Sequence, residues 1–424
     1  MTATSETYDA LVVGAGPGGA TTAAFLARAG RRVLLVDKAT FPRDKVCGDA
    51  LSGKTVDVLR RLGLHETMRQ MAAPSETEGP KEAPLPSWGI VFSGPRGARV
   101  SIPFGTVDPN KDEPGFVMAR LPFDDLVFNA AKDAGAEVWE DAQVTGLVRN
   151  AAGRVTGARV QRGGESIDVA AKVVVGADGA YSVVAKDLGF EQLDERHYCG
   201  GLRAYYEGVT GFEDHGFIEL HFVSEAIPGY FWIFPMAGGG ANVGIGMLSQ
   251  DIKKKDIKLR ALLDFCIAHP RFRDRFATAR RVGKVQGWGL PLGSKGRPLS
   301  GDGWMLVGDA GSLIDPFSGE GIGNAMIAGE MAANWIGKGL DAADLGPAFL
   351  KGYDADVLAY FGTEFRLSRM MQQLGRWKWL LNFVIDRASK SKAVAAAISA
   401  MFADENERAK FANPVFYLKL AFAK

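Results

Sequence analysis

Cysteine is scarce: Cys47, Cys199 and Cys266 are the only three in 424 residues. They stand far apart, without the close pairs of a metal site or disulfide framework, which suits a reducing compartment and leads us to expect a cytoplasmic protein. Charge of one sign is missing too. Fifty Lys and Arg against 49 Asp and Glu leave a formal net charge of +1, so the basic footprint of a duplex nucleic-acid binder is absent and no nucleic-acid partner is expected. No apolar run approaches the roughly 20 residues of a membrane-spanning helix. The longest candidate, Ala393 to Ala403, is short and rich in alanine. Met1 to Tyr8 is polar and lacks the basic-then-apolar order of a secretory leader. Internal repeats and low-complexity segments are absent as well.

What remains is ordinary in bulk: 47% hydrophobic and 23% charged residues, in a chain long enough for two or three packed regions. Its information lies in short patterns. Tyr8 to Val13 reads as a buried strand, Gly14 to Gly19 as a glycine turn, Ala20 to Ala29 as a helix and Arg32 to Asp37 as a second strand. That is a βαβ opening of the expected size. Val173 to Val175 and Met305 to Val307 are further apolar strands, each running into a glycine and an aspartate. Strands that end in polar turns predict a parallel sheet with its ligand at the carboxyl edge. Ala73 to Pro86, dense in Pro and Glu, predicts an exposed loop. Trp88 to Pro103 and Gly201 to Met247 alternate apolar with polar residues, as half-buried antiparallel strands do. From Asp344 onward the pattern is helical.

Gly14-Ala15-Gly16-Pro17-Gly18-Gly19 matches G-x-G-x-x-G at a strand–helix junction. Its glycines allow a tight turn, close approach of the backbone to a pyrophosphate, and close packing of helix on strand. Asp37 ends the next strand, where a carboxylate accepts hydrogen bonds from ribose hydroxyls. A second motif is Gly176-Ala177-Asp178-Gly179. A third, Gly308-Asp309-Ala310, continues through Asp315-Pro316-Phe317-Ser318-Gly319-Glu320-Gly321-Ile322-Gly323 into a helix-like run. Taken singly, strand–Gly–Asp turns fit plain turn chemistry as well as ligand binding.

Together the three motifs resemble the aromatic-hydroxylase-like branch of FAD enzymes. The resemblance covers most of Tyr8 to Trp335 and implies tightly bound FAD. It implies that Asp309 binds the ribityl chain and that the turn at Gly321-Ile322 offers N–H groups and a helix N-terminus to the reduced ring. It further places Lys38 beside Asp37 at the cofactor, Val144 beside the adenine, and Arg120 of Arg120-Leu-Pro-Phe-Asp124 against the cofactor. A surface Arg–Asp salt bridge explains that last pattern nearly as well. Only one G-x-G-x-x-G fingerprint is present, so an NADPH donor, or another reductant, would visit without a Rossmann domain of its own.

Two segments narrow the family. Arg43-Asp-Lys45-Val-Cys47-Gly48-Asp49-Ala-Leu51-Ser52 resembles the R-x-K-x-C-G-x-x-L-S segment of geranylgeranyl reductases, which puts Cys47, Gly48 and Asp49 at the cofactor. Tyr230-Phe-Trp232-Ile-Phe234-Pro235 resembles their Y-x-W-x-F-P motif and is followed by Asn242-Val-Gly244-Ile-Gly246. Ile227 stands where the family has proline, with Pro228 one position later. The resemblance makes Tyr230, Trp232 and Phe234 the lining of a polyprenyl pocket. A bare alkene offers no charge to grip, so aromatic and aliphatic area must recognise it. A strand with aromatic residues in a core is the competing reading, and for Cys47 it is a small buried apolar residue.

The expected architecture is therefore α/β. A Rossmann-like FAD-binding domain (1–75, 118–190, 295–343) carries an inserted antiparallel-sheet substrate domain (76–117, 191–294), with a helical C-terminal region (344–424). The expected reaction is hydride transfer from reduced FAD to an isoprenoid carbon–carbon double bond. Cys47, Tyr230 or an ordered water would supply the proton. Two alternatives stand beside it. Flavin monooxygenases or halogenases share the fold, the latter with W-x-W-x-I-P where this chain has Tyr230, Trp232, Phe234 and Pro235. An electron carrier to a quinone often holds iron–sulfur cysteines, which three scattered cysteines do not provide. Finally, Arg366 to Lys424 holds eleven Lys and Arg against four Asp and Glu, a net charge of +7. Trp377, Trp379, Leu380, Leu381, Phe383 and Val384 crowd there beside Arg376 and Lys378. This composition suits peripheral contact with the inner face of an anionic membrane, and suits a helical cap with a solvated basic face equally well.

Overall fold

A computed structural model describes residues 7–104, 113–191, 193–391, 394–396 and 399. Its main sheet has eight strands. Tyr8–Val13 lies between Val33–Val36 and Glu165–Gly176, all parallel, with Glu137–Trp139 beyond the first and Trp304–Leu306 beyond the second. Apart from the partly exposed Asp9, the central strands are apolar on both faces and buried, as a parallel sheet covered on two sides requires. Ala142–Arg149 and Val155–Arg162 extend it antiparallel from the first half of Glu165–Gly176. Helices Pro17–Arg28, Arg120–Asp133 and Ile322–Asp341 share the large core with this sheet, around Leu11, Leu35, Phe123, Val174 and Met326.

A second, seven-stranded sheet takes its strands from two separate stretches of chain. Gly89–Ser93 pairs with Ile218–His221, and Tyr230–Met236, Gly240–Leu248, Tyr198–Glu207 and Arg280–Pro291 follow in order. The expected antiparallel pattern holds except at the join, where Gly89–Ser93 and Ile218–His221 run parallel. Gly89–Ser93 does not alternate either: all five residues are buried. Val91 packs with Trp88 and Phe217 on one side, while Ile90 and Phe92 join the aromatic cluster on the other. Covering both faces removes the polar positions that a half-exposed strand would keep. The loop 73–86 is exposed at Pro74 and from Thr77 to Glu82. Ala73, Ala83 and Leu85 are buried, and Leu85–Pro86 pairs with Phe116–Val117.

The chain then turns helical through Pro347–Leu374 and Lys378–Lys390. Among the described residues no helix is long and apolar enough to cross a membrane. Most of Ala393 to Ala403, and all of the basic tail beyond it, lie outside the described residues.

Candidate active site

Strand register brings the glycine motifs together. Val13 is level with both Val36 and Gly176, and Gly176 is level with Leu306. The turns after these strands therefore emerge at one sheet edge. Gly14 has φ +96°, and a methyl group there would sit 2.5 Å from the Ala177 carbonyl oxygen, so any side chain would part the first two motifs. Gly19 crosses behind Gly14, and Gly18 packs on Ala325 of helix Ile322–Asp341. In front of Gly16 the nearest group is the Arg43 guanidinium, 3.4 Å from where a methyl would stand. This open turn at the start of helix Pro17–Arg28 thus faces a cation, a fitting cradle for a pyrophosphate.

Asp37 bends its carboxylate into the turn, accepting from the Ala15 N–H at 2.7 Å and the Ala39 N–H at 2.9 Å. Lys38 is exposed. Val144 is buried two positions after Ala142, whose N–H donates to the Asp37 carbonyl. Asp309 stands in the single turn Gly308–Gly311 and pairs with Lys45 at 3.2 Å. A methyl at Gly321 would come 3.8 Å from its Oδ1, so Asp309 adjoins the start of helix Ile322–Asp341, which has no side-chain cap at Gly321. Asp178 is engaged locally. It accepts from the Ser182 hydroxyl (2.5 Å) and from the Val183 (2.7 Å) and Val184 (3.3 Å) N–H groups, capping helix Val183–Asp187.

Arg120 and Asp124 form no surface pair; both are buried. The guanidinium donates twice to the carboxylate, at 2.6 and 2.8 Å, and Arg43 adds a third bond at 2.6 Å. Burial opposes ionisation of Asp124, yet the two guanidiniums hold its carboxyl below the usual range. Arg120 also reaches Cys47. Burial pushes the Cys47 thiol up against the pull of Arg120, so the neutral thiol dominates.

The segment carrying Cys47 joins the sheet edge to the aromatic strand. Gly48 lies against Phe234, whose ring would be 3.2 Å from an added methyl. The carbonyl of Cys47 accepts from Asn242 Nδ2 at 2.8 Å. Asn242 also donates to Asp49 Oδ2 at 2.8 Å and accepts from Trp232 Nε1 at 2.9 Å. The Tyr205 hydroxyl donates to the same Asp49 oxygen at 2.6 Å, while Oδ1 of this fully buried carboxyl has no partner among the described residues. Burial pushes Asp49 up to about 6, against the hydrogen bond from Tyr205 and the charge of Arg203. Arg203 lies over the Tyr205 ring and pairs with Asp44 at 3.0 Å. Asn242, Tyr205 and Arg203 are members that sequence reasoning missed. One signal was available: an asparagine inside the apolar strand Gly240–Leu248 demands a partner.

Tyr230, Trp232 and Phe234 do share a face. Trp232 and Phe234 are buried there, with Phe92, Phe222, Ile385 and Ala388 in the same cluster. Gly244 on the neighbouring strand makes room, since a methyl there would fall 2.1 Å from the Trp232 ring. Tyr230 is half-buried, and its hydroxyl donates to the Ser318 carbonyl at 2.7 Å. The aromatic strand is thereby tied to the turn that leads into Gly321. Helix Lys378–Lys390 covers this face with Leu381, Phe383 and Val384, and Leu380 is buried. Trp377 and Trp379 instead stack on each other in solvent, 53% and 66% exposed. Arg376 is not a free basic group, because Asp251 takes both its Nη atoms at 2.7 and 2.8 Å.

The chain matches the family model described as "FAD binding domain" over residues 7–336. It is 32% identical over 355 residues to menaquinone reductase of Mycobacterium tuberculosis, covering 81% of this chain and 80% of that protein. It is 31% identical over 353 residues to digeranylgeranylglycerophospholipid reductase of Thermoplasma acidophilum, covering 82% and 83%. Among solved structures, a geranylgeranyl bacteriochlorophyll reductase-like protein from Thermoplasma acidophilum superposes with a TM-score of 0.79 at 26% identity, over 94% of this chain and 98% of that one.

Proposed function

The chain belongs to the FAD-binding-domain family, in its geranylgeranyl reductase branch, and from that premise we propose that it saturates carbon–carbon double bonds in an isoprenoid chain carried on a polar head group. The two curated relatives support this class by their names: menaquinone and a digeranylgeranyl glycerophospholipid have different heads and share a long isoprenoid chain. The observation that carries the reading is the junction between the two sheets. The turn at Ser318 bonds directly to Tyr230 of the aromatic strand, and Cys47 of segment 43–49 bonds Asn242 of the neighbouring strand, which in turn holds Trp232. This supports a reading in which a chain held on the aromatic side lies next to the flavin end of the nucleotide edge.

In this reading the Gly14–Gly19 turn and Arg43 hold the FAD pyrophosphate, Asp37 the ribose and Asp309 the ribityl chain. The uncapped start of helix Ile322–Asp341 faces the ring. FAD, when bound and reduced, supplies a hydride. The protein must supply a proton to the other alkene carbon and keep water away. Tyr230 already spends its proton on Ser318, and burial keeps the Cys47 thiol a weak acid. Asp49 suits the task better: its carboxyl holds a proton near pH 6 and its Oδ1 is uncommitted among the described residues. The stacked Trp377 and Trp379 are proposed as the contact with the membrane that stores such a substrate.

The test is incubation of dithionite-reduced holoprotein with unsaturated menaquinone and with a geranylgeranyl lipid. A product heavier by two hydrogens that persists after aeration is expected. A gain that air reverses would mean reduction of the quinone ring instead. Oxygen consumption coupled to product would favour the monooxygenase chemistry of the same fold.

A further inference from the structure

Behind the turn that carries Asp309 lies a cavity of about 530 Å³, between the loop 293–299 and helix Pro347–Leu374. Its floor is apolar, with Leu299, Leu313, Phe361 and Phe365. Its polar lining is strongly one-sided: Lys295, Arg297, Arg366 and Arg369 against the single acid Asp354. Asp354 is already committed, accepting from the Leu299 N–H and the Ser300 hydroxyl. Lys295 is matched by Glu191 at 2.7 Å and Asp194 at 3.6 Å. The three arginines are not matched. Arg297 donates only to the Ala310 and Glu191 carbonyls, Arg366 to the Thr363 hydroxyl, and Arg369 to Gln372. Among the described residues none of them meets a carboxylate.

Two further groups in the same wall lack partners among the described residues. Ser312, 3% exposed and with φ +57°, presents an unbonded Oγ, and Arg297 an unbonded Nε. Buried donors of this kind are costly to leave unpaired. Burial also pushes Arg297 and Arg369 below the usual arginine range, the direction expected of cations short of counter-charge. Three unpaired guanidiniums above an apolar floor match an anion with an apolar body, and guanidinium geometry favours phosphate oxygens in particular.

We propose that this cavity is a second ligand site, for an organic phosphate whose phosphate or diphosphate meets Arg297, Arg366, Arg369 and Ser312 and whose apolar part rests on Leu313, Phe361 and Phe365. The site is distinct from the flavin edge. Gly311, Ser312 and Leu313 line the cavity, whereas Asp309 and its partner Lys45 are not among its lining residues. Two sources share this chemistry: the phosphate head of an isoprenoid lipid, and the phosphates of a nucleotide reductant.

The experiment uses FAD-loaded protein and inorganic pyrophosphate as the probe, measured by calorimetry. The wild type is expected to bind it, with affinity falling as salt rises. Arg366→Gln/Arg369→Gln should bind on the order of tenfold more weakly or worse, with flavin content and thermal midpoint unchanged. Arg366 is exposed, so Arg366→Glu serves as a second variant that spares the core. Displacement of pyrophosphate by geranylgeranyl diphosphate assigns the site to the lipid, and displacement by NADPH alone assigns it to the reductant. No binding to the wild type, equal binding to the variants, or displacement by neither compound would overturn the proposal, the last meaning an adventitious ion only. None of these readouts depends on alkene reduction, so failure here and failure of the proposed reaction are separable.

Discussion

Replacing Asp49 with asparagine tests the least expected feature of the junction, a buried carboxyl with one idle oxygen. Asp49 titrates at about 6 in the folded chain and at about 3.9 when unfolded. Its folded value is raised, so between those limits the native state binds more protons than the unfolded state. Stability from this group is therefore fully present below about pH 4 and is lost as pH rises through 6. A shift of about two units amounts to about 3 kcal/mol. In Asp49→Asn the new amide would place its oxygen where Tyr205 and Asn242 already donate and its NH2 at the idle position, at a cost of about 1–3 kcal/mol that does not vary with pH. The difference between the two proteins isolates the titration, because every other carboxyl is common to both. At about 2.1 cal/mol/K per residue, 3 kcal/mol corresponds to about 3 °C. Thermal midpoints of FAD-loaded wild type and Asp49→Asn should be followed from pH 4 to pH 8 at constant ionic strength. The variant should gain about 3 °C on the wild type across that range. Its turnover should fall at every pH, while wild-type turnover declines as pH passes about 6. A midpoint difference that stays flat from pH 4 to 8 would show that Asp49 does not titrate there, and the assignment of the proton to it would go with it.

Other perturbations separate the roles of neighbouring groups. Asp124→Asn strips Arg120 and Arg43 of their shared carboxylate and should cost about 3–5 kcal/mol, since it leaves a buried guanidinium unpaired; denaturant melts and flavin content report it together. Asp309→Ala should lower flavin occupancy with little loss of stability in the apoprotein, whereas Asp178→Ala should lower stability by about 1–2 kcal/mol through its lost helix cap. Parallel measurements of absorbance ratio and midpoint check that contrast. Trp232→Phe should keep FAD bound and spectrally normal but slow turnover of long isoprenoids. Its loss of the bond to Asn242 costs about 1–3 kcal/mol, visible in the midpoint. Trp377→Ala/Trp379→Ala should reduce co-sedimentation with anionic vesicles at unchanged stability, because both rings are largely in solvent.

Much of the main sheet was legible in the sequence because its signals are local. Ala10 to Val13 and Val173 to Val175 are continuous apolar runs that end in glycine, as buried parallel strands do. The glycine at 14 could be read from the chain as allowing a tight turn, and its φ and the nearby Ala177 carbonyl show why no side chain fits there. The family likewise followed from residues near one another in the chain, in segments such as Arg43 to Ser52 and Tyr230 to Pro235. What the sequence could not hold was any relation between groups distant along it. Asp178 and Asp309 each follow closely on a strand and a glycine, yet one caps the helix beginning at Val183 and the other faces Lys45; only tertiary contact shows which does which. Gly89–Ser93 looks half-exposed until Phe217 and the C-terminal helix cover its two faces. Arg376 counts as a free positive charge in any composition, and Asp251, 125 positions earlier, cancels it. Most of all, Asp49 is one acid among 49 in the sequence. Burial raises its pKa against the hydrogen bonds from Tyr205 and Asn242, because the energy of a charge is set by the medium and dipoles around it, and these come from strands more than 150 residues away.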